Sequence, residues 1–104
     1  MKIQKSTRKN KRLMATFKNG KTVHFGSAVG STYIDHGDKD KRAAYLARHR
    51  VNENWNDPYS AGSLSRFLLW GDSTSMEENH RDFMRAVNDI ARPNDSAVND
   101  SVAP

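Results

Sequence analysis

The stretch LMATFKNGKTVHFGS, residues 13 to 27, constrains the fold more than any other part of the chain. Leu13, Ala15 and Phe17 alternate with polar neighbours, Asn19-Gly20 is a dipeptide that closes tight hairpins, and Val23 and Phe25 resume the alternation. The segment reads as a β-hairpin with one apolar face. A lone hairpin is marginal in water, so something must cover that face.

The rest of the chain offers helices for the purpose. Asp38 is placed to cap a helix over about 39 to 51, with Asp40 at its positive end and Arg48, His49 and Arg50 at its negative end. Arg42, Tyr45, Leu46 and His49 share one face of it, and the segment NENWNDP stops it, because Pro58 disfavours a helical Asp57. A second helix covers about 60 to 70, with Ala61, Leu64, Phe67 and Leu68 on a stripe and Trp70 closing it. A third begins after Ser75, whose spacing to Glu78 is that of a capping box, and carries Met76, His80, Phe83, Met84, Val87 and Ile90 up to Pro93. Tyr33 and Ile34 follow a loop containing Gly26 and Gly30 and read as a short third strand or a docking segment. The expected architecture is α+β: an N-terminal hairpin packed on about three helices, in a single domain over residues 13 to 92.

The two ends lack apolar periodicity and differ in charge. Residues 1 to 12 hold Lys2, Lys5, Arg8, Lys9, Lys11 and Arg12 with no acid, a charge of +6. Residues 13 to 92 hold eleven Lys or Arg against ten Asp or Glu, and residues 93 to 104 hold only Asp95 and Asp100. The expectation is a disordered basic arm and a disordered tail. A basic arm on a near-neutral body suits nucleic-acid backbones, because each phosphate neutralised releases counterions. A solubilising terminus is the plainer alternative. Arg42, Arg48, Arg50 and Arg66 could extend the positive surface, although Glu53 and Asp57 stand near enough in sequence to pair with them.

Several chemistries lack their residues. Without cysteine there is no disulfide framework, thiolate metal site or thiol nucleophile. None of Ser60, Ser63 or Ser65 stands in a GxSxG elbow, there is no GxxxxGK[ST] loop, and no cofactor is expected. The basic start lacks the apolar run of a signal peptide, and no run reaches the ~18 residues of a membrane span. The expectation is a soluble protein with no membrane partner.

His24, His36 and His49 follow the hairpin-then-helix order of ββα-metal nucleases, with His24 or His36 as base, Asn52 or Asn54 to orient it and His49 or Asp35 as ligand. The close histidine pair on the helix and a DH or HH dipeptide at the end of the first strand are missing, so no metal site is assigned. The plainer roles are a helix-terminal cation or a ring bonded beside Tyr45 for His49, and a core-edge residue for His80. Trp55, Tyr59, Phe67 and Trp70 could stack on bases, but the spacing of Phe67 with Leu64 and Leu68 speaks for the core.

The run NGKTVHFG, then Tyr33, then H-x-D-x-x-x-R-x-x-Y-x-x-R-H (His36, Asp38, Arg42, Tyr45, Arg48, His49), then ENWNDP and AGSLSRFLLW, resembles a small family of uncharacterised proteins encoded by large double-stranded DNA viruses and some phages. The resemblance covers about residues 13 to 70. Gly37 stands where that family more often has Lys, and Ser63-Leu64 where it favours bulky aromatics, which removes a charge and aromatic surface. What the resemblance implies is a viral protein without an assigned enzymatic activity, in the virion or the host-cell interior.

The function expected is therefore non-enzymatic: Lys2, Lys5, Arg8, Lys9, Lys11 and Arg12 bind nucleic-acid phosphates non-specifically, with Arg42, Arg48, Arg50 and Arg66 as further anion contacts. The alternative is a minor capsid or cementing protein whose arm straps onto a capsid partner; the third is the metal-dependent nuclease. His36, Asp38, Tyr45, His49, Glu53 and Trp55 are expected to form a structural polar network, locking the first helix to the hairpin and to the Trp-bearing loop.

Overall fold

The computed structural model describes residues 1–91. Alternation in the hairpin segment yields β2 (Lys11–Thr16) and β3 (Thr22–Ser27), joined through Asn19-Gly20. Gly20 takes φ 87°, the left-handed conformation that the turn needs, and its N–H donates to the Phe17 carbonyl at 2.9 Å.

The third strand does not come from Tyr33. It is β1 (Lys2–Lys5), antiparallel to β2, in a sheet of order β1-β2-β3. The expected disordered arm is thus part of the fold, and the boundary at residue 12 falls inside β2. Cross-strand apolar pairing is the reason. Ile3 lies opposite Ala15 and Ala15 opposite Val23, so one apolar row crosses all three strands, and Met1 packs on the same core.

Tyr33 and Ile34 instead open a single helical turn, α1 (Tyr33–His36), because the Asp35 carboxylate accepts from the Thr32 N–H at 2.7 Å and from its hydroxyl at 2.9 Å. Asp38 caps α2 (Lys39–His49), accepting from the N–H groups of Asp40 and Lys41 at 2.9 and 3.1 Å.

Where an unbroken helix over 60 to 70 was expected, α3 (Ala61–Leu64) passes into a π-turn (Ser65–Leu69), and the Trp70 N–H donates to the Ser65 carbonyl five residues back at 3.1 Å. Leu64, Leu68 and Leu69 are all buried. In a regular α-helix Leu69 would be rotated off the face of Leu64; the wider turn brings it back. The last helix is α4 (Met76–Ala91), whose Glu78 N–H donates to Ser75 Oγ at 3.3 Å. Ile90 and the expected disordered tail lie outside the described side chains.

Ala15 and Phe25 of the sheet are fully buried against Leu64, Leu68, Leu69, Phe83 and Val87. The two alternate rows, Lys2–Thr16–Thr22 and Gln4–Met14–His24, point the other way. Partly buried Met14 does not join the core. The sheet therefore has one covered and one open face.

Candidate nucleic-acid interface

Residues 1 to 34 contain Lys2, Lys5, Arg8, Lys9, Lys11, Arg12, Lys18 and Lys21 and no Asp or Glu. These residues build the whole sheet and both its turns, so eight positive charges stand on one substructure. Strand pairing sorts them to its ends. At one end the turn between β1 and β2 displays Arg8 and Lys9, with Lys5 and Lys11 at its stem around a depression of about 350 Å3. The turn is tied by the Arg8 N–H to Ser6 Oγ at 2.9 Å and the Lys11 N–H to the Arg8 carbonyl at 3.3 Å. At the other end Lys18 and Lys21 flank Asn19-Gly20, near Lys2.

Arg12 is the exception. Its two terminal nitrogens grip both oxygens of Asp35 at 2.7 and 2.8 Å, and Nη1 also reaches Thr32 Oγ1 at 3.2 Å. This fork holds the Asp35 carboxyl well below the usual carboxylate range and docks α1 on the sheet. Among the described residues the other seven make no ion pair.

Two expected anion contacts in the helical half are structural instead. Arg42 Nε donates to the carbonyls of Trp70 and Gly71 at 3.1 and 2.9 Å, and Nη2 to Asp72 at 2.8 Å. Arg66 Nη1 donates to the Trp70 carbonyl at 3.2 Å, and its guanidinium lies 5.3 Å from the Trp55 ring centre and 4.8 Å from that of Phe67. Both arginines serve carbonyls that the end of the π-turn leaves without intrahelical partners. Burial, and then the charge of Arg42, push the pKa of Arg66 down. Arg48 and Arg50 remain exposed at the end of α2.

The expected polar network divides in two. His49 Nδ1 lies 2.9 Å from one Glu53 oxygen, while the other accepts from Trp55 Nε1–H at 2.8 Å. An ionised carboxylate only accepts, so Nδ1 is the donor. Tyr45 stacks on His49 at 4.1 Å and on Trp70 at 4.2 Å; burial, then the Glu53 charge, push its hydroxyl up to about 12. His36 and Asp38 belong to the α1–α2 junction, where His36 Nδ1 accepts from the Asp38 N–H at 2.8 Å. The His49–Glu53–Trp55 chain ties α2 to the loop before α3 rather than to the hairpin, because the hairpin is held to α1 by Arg12 and Asp35. The chain borders a cleft of about 430 Å3 that Lys11 also lines.

His24 sits apart on the open sheet face, with Nδ1 2.7 Å from Ser6 Oγ. The three histidines of the nuclease arrangement thus occupy three different places. Among the described residues no three His, Asp or Glu are gathered to hold a metal ion.

Residues 1–49 match the model of a family of unknown function, DUF5754. The DUF5754 match takes in the sheet, α1 and α2, hence all eight cations and the Asp35 that neutralises one of them, and it ends before Glu53 and Trp55. No curated protein and no solved structure matches the chain. Among the described residues no helix is long and apolar enough to cross a membrane.

Lys18 and Lys21 went unassigned by sequence reasoning, as did the open-face residues Gln4, Met14, Thr16 and Thr22. Two signals carried them: the absence of any acid before Asp35, and the alternation of Met1, Ile3 and Lys5 with Lys2 and Gln4.

Proposed function

We infer that this protein binds nucleic-acid phosphates through the charged ends of its sheet, without sequence selection at that step, as a non-enzymatic component of a viral particle or genome. The viral setting rests on the motif resemblance. The binding rests on one observation: residues 1 to 34 hold eight cations and no carboxylate, and among the described residues only Arg12 of the eight is ion-paired.

Order in β1 changes how such binding works. A free arm loses chain entropy when it settles on a backbone, whereas cations carried by a tied turn lose only side-chain freedom. The capsid alternative, with residues 1 to 12 as a strap, would require β1 to leave the sheet and expose Met1 and Ile3. The scattered histidines give the nuclease alternative no support.

Binding of the full chain to a labelled random-sequence duplex at ~50 and ~200 mM salt tests the proposal. Four phosphate contacts from one turn predict an affinity loss of roughly 100-fold over that range, and seven predict over ~1,000-fold. Absence of binding at the lower salt would sink it, and a capsid protein would then be the partner to seek.

A further inference from the structure

We propose that the open face of the sheet is a base-reading surface that enters the major groove of B-form duplex DNA. This rests on the phosphate-binding proposal above and adds a contact that phosphates cannot supply.

Three observations carry it. The rows Lys2–Thr16–Thr22 and Gln4–Met14–His24 face away from the core, and among the described residues the side-chain hydrogen bonds of these rows, His24 to Ser6 and Thr16 to Thr22, stay within the sheet and its β1–β2 turn. Dimensions come second. Strands of six residues span ~20 Å, enough to cross a groove ~12 Å wide and set the two turns over the phosphates on either side. Those turns carry Arg8 and Lys9 at one end and Lys18 and Lys21 at the other, all exposed.

The third observation separates duplex from single strand. Sheets that bind unpaired nucleic acid present aromatic rings on which bases stack. Here Phe25 is fully buried and Phe17 packs against the core and edge-on to Tyr59 at 5.0 Å, so the open face offers no ring larger than His24. It offers instead the groups that base edges take: an amide at Gln4, hydroxyls at Thr16 and Thr22, an imidazole at His24 and, for thymine methyls, the thioether chain of Met14. Gln pairs bidentately with adenine, and Lys2 can reach guanine. An RNA duplex is a poor partner, because its deep, narrow major groove does not admit side chains.

The test measures wild-type affinity at one fixed salt concentration for four probes of one sequence. They are a DNA duplex, the same duplex with glucosylated 5-hydroxymethylcytosine filling the major groove, an RNA duplex and single-stranded DNA. The plain DNA duplex is expected to bind at least ~10-fold tighter than each of the other three. The neutral double variant Gln4→Ala/His24→Ala should lose most of that preference while keeping its single-strand affinity. Equal affinity for all four probes would overturn the groove proposal and leave phosphate binding standing; no binding to any would overturn both. The blocked duplex is read with unaltered protein, so a folding defect in the variant cannot hide the answer.

Discussion

The sheet and the helical half carry eight Lys or Arg each but set them in opposite charge surroundings. Residues 1 to 34 carry eight and no acid; residues 35 to 91 carry eight Lys or Arg against ten Asp or Glu, a balance of −2. In the helical half two of the arginines point inward, Arg42 onto two carbonyls and Asp72, Arg66 onto a carbonyl and two rings. Among the described residues seven of the eight in the sheet and six of the eight in the helical half make no ion pair, so what sets the sheet apart is that residues 1 to 34 contain no carboxylate. A guanidinium turned in against carbonyls and rings is poorly placed to meet a phosphate in solvent, so the count of arginines says less than their partners do.

The contrast is broken most directly by neutralising one end of the sheet. Replacing Lys5, Arg8, Lys9 and Lys11 together by Ala should lower duplex affinity by roughly 1,000-fold at ~50 mM salt and reduce the salt slope by about 4. Stability should move little, because these side chains make no ion pair among the described residues and surface substitutions usually shift stability by under ~0.5 kcal/mol each. An unchanged slope would show that the cationic turn is not the contact.

The helical half should fail in stability instead, and most severely at Asn79. Its side chain is buried, with Nδ2 donating to the carbonyls of Leu68 and Ser73 at 3.1 and 2.8 Å and Oδ1 accepting from the Ser73 N–H at 3.0 Å. The chain passes so close that a Cβ on Gly71 would lie 2.6 Å from Asn79 Cγ and clash with the Phe67 carbonyl. Asn79→Ala leaves three backbone groups to find other partners, at a cost of about 3 kcal/mol. Urea unfolding followed by the fluorescence of Trp55 and Trp70 measures it.

Arg42→Met comes next. It removes charge-assisted bonds to two carbonyls while keeping a long apolar stem, and should cost about 2 kcal/mol, or roughly 10 °C in Tm for a domain of this size. The salt slope of DNA binding should equal that of wild type. If Arg42→Met flattened the slope as the sheet variant does, the division of labour between the two halves would be wrong.

Local signals in the sequence were legible and distant ones were not. The hairpin announced itself through Asn19-Gly20 and a period of two, and the Asp38 cap through neighbours two and three residues away. His49 and Glu53 are four apart across the end of α2, a separation that sequence spacing can suggest. β1 was hidden because a single apolar residue, Ile3, marks it among lysines, and its partner Ala15 lies twelve positions on. The same distance hid the fate of the arginines: Arg12 finds Asp35 at a separation of 23, and Arg42 finds Trp70, Gly71 and Asp72 at 28 to 30. The π-turn was illegible for another reason. Leu69 is out of step with Leu64 in any regular helix, and only the need to bury both reveals the wider turn.

The smallest expected effect sits where the two halves meet. His80 of α4 is partly buried, its Nε2 has no hydrogen-bond partner among the described residues, and the N-terminal ammonium that precedes β1 stands near enough to repel its charged form. Burial first, and that ammonium second, push its pKa below the ordinary 6.5, against a smaller opposing pull from a Met1 backbone hydrogen bond. The unfolded chain therefore binds the proton more readily than the folded one. Stability from this group is fully present above pH 6.5 and is lost as pH falls from there through the folded value. Asp35 is also lowered, but its contribution is lost only below its ordinary 3.8, outside this window. Melting curves between pH ~7.5 and ~5 should fall more steeply for wild type than for His80→Phe, which cannot take the proton. Parallel curves would mean that the seat of Met1 on α4 is indifferent to this histidine's charge.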